Sequence, residues 1–71
     1  MSQLQKLRKW AAYRGLEIVT TSNDEGQWWM TVNVEKPITF QAESKWQPTT
    51  EEAAAKVIEQ LEEIGEDLNV T

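Results

Sequence analysis

Residues 47–65 decide the fold, and they read QPTTEEAAAKVIEQLEEIG. The segment predicts an amphipathic helix with a defined start and end. Thr49 and Glu52 have the spacing of a capping box, in which each side chain accepts a hydrogen bond from the other residue's backbone N–H group. Gly65 ends the pattern, as glycine commonly does after a helix. Apolar residues recur at helical spacing and form one buried stripe: Ala54, Val57, Ile58, Leu61 and Ile64.

A second amphipathic helix is predicted over residues 3–14. Ser2 is a suitable N-cap, and Gly15 is a suitable C-terminal stop. One face of this helix is apolar through Leu4, Leu7, Trp10 and Ala11.

Three strands are predicted between the helices. Residues 16–22 are rich in β-branched side chains, and residues 27–35 and 38–43 alternate between apolar and polar. Two short connections, residues 23–26 and 35–37, favour an antiparallel meander. The apolar faces consist of Trp28, Met30, Val32 and Val34 on the second strand, and of Ile38, Phe40 and Ala42 on the third.

The predicted fold is therefore α+β with the order α-β-β-β-α. Both helices pack on one face of the three-stranded meander, and the other face is left to solvent or to a partner. A chain of 71 residues is one domain, with an ordered core over about residues 3–65. We expect residues 66–71 to be frayed, with Leu68 folding back on the helix end.

The composition excludes several classes of protein. There is no Cys, so no disulfide framework or thiolate metal site is expected. No apolar run approaches the roughly 20 residues that span a bilayer. The first residues lack the pattern of a secretory signal. These features are typical of a cytoplasmic protein.

The net charge of −5 is unevenly distributed. Residues 1–14 carry four basic residues and no acid, whereas residues 49–71 carry seven acids and one lysine. An acidic chain is a poor general binder of nucleic acid, because such binding depends on neutralising phosphates. A local basic patch of Lys6, Arg8 and Lys9 keeps a nucleic-acid interface as an alternative.

The element order and one stretch of sequence resemble the double-stranded-RNA-binding-domain fold. Residues 40–42 (FQA) lead through a loop into residues 53–56 (AAAK), similar to that family's third strand and alanine-rich second helix. The family's contact residues depart from the pattern. Its lysine cluster at the start of the second helix is matched here by residues 50–52 (TEE), and its Gly-Pro-x-His-type loop by residues 23–26 (NDEG). The resemblance therefore implies the architecture, and its departures predict that double-stranded RNA is not bound.

Catalysis is not expected. The chain has no His and no Cys, so the commonest general base and the commonest soft nucleophile are missing. Its adjacent acids lie on predicted turns and helix surfaces, where carboxylates are usually solvated. We predict no enzyme activity, no catalytic residue, no metal site and no cofactor.

The four Trp residues have different predicted environments. Trp10 and Trp28 lie in apolar stripes and are expected in the core. Pleating sends Trp29 to the helix-free face, near Val19 or Thr21 on one side and Thr39 or Gln41 on the other. Two interpretations stay open for Trp29: a side chain half-covered by cross-strand neighbours, or an anchor in a protein interface.

Trp46 follows the third strand, and it also has two interpretations: a plug at the end of the core, or an exposed contact. The exposed face of the second helix carries Glu52, Glu59 and Glu63. It is either a solvated face or a surface for a basic partner, such as the basic surface of a nucleic-acid enzyme.

The sequence predicts a small non-catalytic adaptor or inhibitor that binds protein. Its candidate binding residues are Trp29, Trp46, Glu52, Glu59 and Glu63. A small acidic chain without catalytic residues resembles phage or mobile-element accessory proteins in general character. The alternatives are a nucleic-acid-binding module that uses Lys6, Arg8 and Lys9, and a structural homodimer that pairs sheet faces, edge strands or oppositely charged helices.

Overall fold

The computed structural model describes residues 2–36 and 38–69. The elements follow the order α1 (Gln3–Arg14), β1 (Ile18–Ser22), β2 (Trp28–Val34), β3 (Phe40–Glu43) and α2 (Thr50–Glu63). The strands form one antiparallel sheet in the order β1-β2-β3. Both helices lie on one face of this sheet, so the predicted α-β-β-β-α fold is confirmed.

The start and end of α1 follow from its capping residues. The Ser2 hydroxyl accepts a hydrogen bond from the Gln5 N–H at 3.1 Å, and the Gln5 side chain accepts one from the Ser2 N–H at 3.1 Å. This pair is a complete capping box. Gly15 ends the helix with a φ of 70°, a left-handed conformation that glycine adopts without steric cost.

Helix α2 also starts at the predicted residue. The Thr49 hydroxyl accepts a hydrogen bond from the Glu52 N–H at 3.1 Å. The Glu52 carboxylate lies 3.4 Å from the same hydroxyl, so the Thr49 half of the predicted capping box is the part observed. At the other end, the N–H groups of Gly65 and Glu66 bond to the carbonyls of Glu62 and Leu61, which is the Schellman arrangement.

The core lies between the sheet and the two helices. The alternation predicted for β2 is confirmed, because Met30, Val32 and Val34 are buried and Trp28 is half-buried against them. The other fully buried apolar side chains come mainly from the helices: Leu7, Trp10, Ala11, Ala53, Ala54, Val57, Ile58 and Leu61.

All three strands start later than predicted, and β2 does so by one residue, at Trp28. The Leu16 N–H bonds to the Ala11 carbonyl and completes the end of α1, so β1 begins at Ile18. Strand β3 begins at Phe40. Ile38, predicted on the apolar face of this strand, lies before it and is 51% exposed. Pro37 of the predicted reversal lies outside the described residues.

Two acidic side chains tie the ends of the helices together. Glu51 in the first turn of α2 accepts hydrogen bonds from the backbone N–H groups of Gln3 and Leu4, at the start of α1. Glu66, just past α2, pairs with Arg14 at the end of α1. The helices therefore run parallel, with like ends together.

The segment after α2 adds one side chain to the core. Leu68 is 1% exposed and belongs to the same apolar cluster as the two helices, as the fold-back of this residue predicts. Residues 70 and 71 lie outside the described residues.

Candidate protein-binding surface

A β-bulge follows β3 and places two residues opposite Trp29. The Ser44 N–H bonds to the Met30 carbonyl at 2.9 Å, and Gln47 exchanges two hydrogen bonds of 2.8 Å with Trp28. Between these two pairings, β2 contributes only Trp29, whereas the facing chain contributes residues 45 and 46. A count of two residues against one is the definition of a bulge.

The bulge contains a strained backbone position. Lys45 has a φ of 62°, and it is the one non-glycine residue with positive φ among residues 2–36 and 38–69. Bulges of this form usually place glycine there. A side chain in the left-handed region costs about 1–2 kcal/mol, so neighbouring contacts must hold Lys45 in place.

Ser44 supplies those contacts from a buried position, where it is 3% exposed. Its hydroxyl accepts a hydrogen bond from the Met30 N–H at 2.7 Å and donates one to the Lys45 carbonyl at 2.7 Å. The Ser44 carbonyl accepts from the Gln47 side-chain amide at 2.7 Å. In a regular antiparallel pair the Met30 N–H would donate to the Ser44 backbone carbonyl, and here it donates to the Ser44 hydroxyl instead. This hydroxyl therefore stabilises the bulge.

The bulge determines which way Trp46 faces. Phe40 and Ala42 face the helices, and unbroken alternation would send Trp46 to that face too. One extra residue reverses the alternation and moves Trp46 to the helix-free face. Its ring meets Trp29 edge to face, with ring centroids 5.4 Å apart and planes at 82°. Trp46 is 40% exposed, so the core-plug interpretation of this residue is wrong.

The position predicted for Trp29 is confirmed on one side and corrected on the other. Trp29 is half-buried in β2, and its register partner on β1 is Thr21. Its neighbours on the β3 side are Lys45 and Trp46, because the register already pairs Thr31 with Glu43. Of the predicted neighbours, Gln41 pairs with Asn33 further along the sheet, and Thr39 lies before β3.

Two charged groups complete the arrangement around Trp29. The Lys45 ammonium lies 5.4 Å from the centroid of the Trp29 ring and 3.0 Å from a carboxylate oxygen of Glu43. We call Trp29, Trp46, Lys45 and Glu43 the aromatic corner. It presents two perpendicular indole rings, one cation and one carboxylate on the side of the sheet without helices.

The predicted acidic surface lies elsewhere. Glu52, Glu59 and Glu63 are exposed and share the outer side of α2, with Lys56 between them in the helical spacing. Because α2 covers the opposite face of the sheet, this acidic stripe and the aromatic corner are on opposite sides of the molecule. The structure therefore does not bring the predicted protein-binding residues into one surface.

The basic residues of α1 do not form one compact patch. Arg8 and Lys9 are exposed and Lys6 is half-buried. Lys6 and Arg8 lie about 160° apart around the helix axis, at the helical spacing of about 100° per residue. Arg14 is engaged within the fold, because it pairs with Glu66 and donates to the Lys36 carbonyl at 2.6 Å.

The two edges of the sheet differ. The Gln60 side chain bonds to the backbone N–H and C=O groups of Glu43 at 2.9 and 2.5 Å, and so covers part of the β3 edge. Strand β1 forms the other edge, with four of its five residues exposed and no charged side chain. An uncovered, uncharged edge is a candidate for strand pairing.

The structure shows no metal centre or membrane span within residues 2–36 and 38–69. No group of three or more acidic side chains lies close enough to hold a metal ion there. No helix is long and apolar enough to cross a membrane. A shallow depression of about 330 Å³ is lined by Arg14, Leu16, Glu35 and Lys36, away from the aromatic corner.

Comparisons with protein-family models, with curated proteins and with solved structures find no match to this chain. The structure has the element order of the double-stranded-RNA-binding fold, and any further resemblance to that family stays a prediction. At the start of α2, where that family has RNA-contacting lysines, Glu51 accepts hydrogen bonds from the backbone of α1.

Sequence reasoning missed Lys45 and Glu43 as members of the site. One signal was present: Ser44 is a polar residue at a position that the alternation of β3 assigns to the core. A small hydroxyl at a core position just before an exposed aromatic residue is compatible with a bulge. No glycine marks the bulge, because Lys45 occupies the left-handed position.

Proposed function

We propose that this protein is a small non-catalytic binding module, an adaptor or an inhibitor, whose aromatic corner contacts a partner protein. The observation that supports this most is the exposed Trp46. A strained bulge at Lys45 moves it from the core face to the helix-free face and sets it against Trp29. Strained backbone of this kind is concentrated at functional sites.

The surroundings of the corner fit the anatomy of an interface. Trp is enriched among the residues that dominate protein binding, usually within a polar rim. The helix-free face supplies exposed polar residues for such a rim: Thr21 is the register partner of Trp29, and Asn33 and Gln41 pair with each other further along the same face. The core does not need Trp46, because the sheet and the helices already bury a continuous apolar cluster without it.

The net charge supports a basic partner. The acidic stripe on α2 and the total charge of −5 would speed association with a positively charged protein, such as a nucleic-acid enzyme. The acidic stripe is a second proposed contact, and its position on the far side of the molecule makes it testable separately from the aromatic corner.

Capture from host lysate tests the proposal. Tagged wild-type protein, Trp46→Ala and Trp29→Thr are compared in untreated and in nuclease-treated lysate, after circular dichroism has shown that each variant is folded. Tyr13→Ala is the matched control, because Tyr13 is an aromatic residue 75% exposed on α1. A Glu59→Lys/Glu63→Lys variant tests the acidic stripe.

We expect both Trp variants to lose a partner that the wild type and Tyr13→Ala retain. Equal capture by the wild type, Tyr13→Ala and both Trp variants would refute the role of the aromatic corner. A signal that disappears in nuclease-treated lysate would favour the nucleic-acid alternative through Lys6, Arg8 and Lys9. Sedimentation of the wild type at two concentrations tests the homodimer.

A further inference from the structure

We infer that the aromatic corner is an ammonium-binding site, which takes a lysine side chain of the partner protein in place of the chain's own Lys45. This inference rests on the proposed function and names the chemistry of the group that the partner supplies.

The geometry of the rings suits a cation. Trp29 and Trp46 stand at 82° to each other with centroids 5.4 Å apart, so they form two walls of an open corner. Ammonium groups bind over the face of Trp within about 6 Å of its centroid, and cages of aromatic side chains recognise methylated ammonium groups. Glu43 adds a carboxylate at the same place, which balances the charge of a bound cation.

The chain already shows an ammonium group in this site. The Lys45 Nζ lies 5.4 Å from the Trp29 centroid and 3.0 Å from Glu43, which are the two contacts that an incoming lysine would need. Lys45 is held weakly there, because its side chain is 67% exposed. Exposed ion pairs and exposed cation–π contacts both contribute little to stability.

Displacement of the Lys45 side chain would leave the bulge intact. The contacts that fasten the bulge involve the Ser44 hydroxyl, the Gln47 side chain and backbone groups, and none of them uses the Lys45 ammonium. An incoming lysine that brings a partner surface with it would exclude water from the corner. Cation–π contacts strengthen when water is removed, so the partner's ammonium has an advantage over the exposed Lys45.

Charge selects a cation over the other classes of ligand. An anionic side chain would lie against Glu43 in a protein of net charge −5. An apolar side chain would gain contact with the rings, but it would leave the Glu43 carboxylate without a partner once Lys45 was displaced. A lysine ammonium can make a cation–π contact with the rings and an ion pair with the Glu43 carboxylate at the same time.

The inference is tested by titrating ¹⁵N-labelled protein and following the indole N–H signals of the four Trp residues by NMR. The probes are three capped pentapeptides: Ala-Thr-Lys-Thr-Ala, the same peptide with trimethyl-lysine, and the same peptide with uncharged norleucine. Lys45→Gln empties the site, Glu43→Gln removes its carboxylate, and Lys36→Gln is a control far from the corner.

We expect the lysine peptides to shift the Trp29 and Trp46 signals and leave that of the buried Trp10 unchanged. Lys45→Gln should tighten binding about threefold to fivefold, as expected when an exposed cation–π competitor is removed. Glu43→Gln should weaken binding, and Lys36→Gln should not alter it. The inference is overturned if no peptide binds, if norleucine binds as well as lysine, or if Lys45→Gln leaves the affinity unchanged.

The two proposals fail in different ways. Loss of partner capture in Trp46→Ala, without any lysine binding in the titration, would keep the proposed function and remove the ammonium site. Lysine binding at the aromatic corner, with partner capture unaffected by both Trp variants, would keep the ammonium site and remove the proposed function.

Discussion

Replacement of Ser44 by alanine should destabilise the domain by about 1–3 kcal/mol, because the Met30 N–H would be buried without a hydrogen-bond partner. In the structure this N–H donates to the Ser44 hydroxyl at 2.7 Å, and the Ser44 carbonyl is turned toward the Gln47 side chain. Alanine fills most of the same space but supplies no acceptor. The Lys45 carbonyl would also lose its hydrogen bond from the hydroxyl.

The expected loss is large for a domain of this size. In domains of 60–100 residues, 1 kcal/mol shifts Tm by about 4–8 °C, so a loss of about 2 kcal/mol lowers Tm by about 8–16 °C. Urea denaturation followed by far-UV circular dichroism measures the free energy of unfolding, and a thermal scan gives Tm.

Ser22→Ala is the matched control for Ser44→Ala. Ser22 is an exposed strand residue, and exposed substitutions of this kind usually change stability by less than about 0.5 kcal/mol. If Ser44→Ala stays within about 0.5 kcal/mol of the wild type, the hydroxyl does not satisfy the Met30 N–H and the account of the bulge is wrong.

Three further structural claims are tested by measuring the free energy of unfolding of substituted proteins in urea. Lys45→Gly should be more stable than Lys45→Ala by about 1 kcal/mol, because both lack the ammonium but only glycine relaxes at positive φ; equal stability would remove the claim of strain. Glu51→Ala should lower the free energy of unfolding by about 0.5–2 kcal/mol, which is the usual effect of removing an N-terminal cap. Glu62→Ala, on the exposed side of α2, should change the free energy of unfolding little. Equal losses in the two variants would contradict the role of Glu51 as a cap on α1. Leu68→Ala should lower the free energy of unfolding by about 2–5 kcal/mol, which is the usual effect of replacing a buried leucine with alanine. A loss below about 1 kcal/mol would place Leu68 outside the core.

The helices and the meander were predictable because local patterns specify them. The caps at Ser2, Gly15 and Thr49 can be recognised from a few neighbouring residues, and they mark the helix boundaries. The alternation of apolar and polar residues in β2 shows which side chains face the core. Ile38 was misplaced because it continues the alternation of β3 by spacing alone. Spacing does not show whether a residue pairs with the neighbouring strand.

The site was predictable only in part. The position of Trp29 followed from pleating, but that of Trp46 depended on whether the strand was regular. A lysine in the left-handed conformation carries no local signal of a bulge, because the signal residue there is glycine. The contact between Lys45 and Trp29 depends on this bulge and was missed with it.

Long-range hydrogen bonds were also outside the reach of sequence patterns. Glu51 looked like one of several acids in the first turn of α2, yet it binds the start of α1. Glu66 was assigned to the tail, yet its carboxylate accepts hydrogen bonds from both Arg14 and the Trp10 indole, the latter at 3.3 Å. Partners more than 45 residues away cannot be read from local spacing.

Site-specific photo-crosslinking tests the central claim most directly. Benzoylphenylalanine is placed either at Thr21, the exposed register partner of Trp29, or at Glu59 in the acidic stripe, and each protein is irradiated in nuclease-treated host lysate. The account predicts a covalent adduct with a partner protein from position 21, and loss of that adduct when Trp46→Ala is added. An adduct from position 59 alone would contradict it, and would place the interface on the acidic helix.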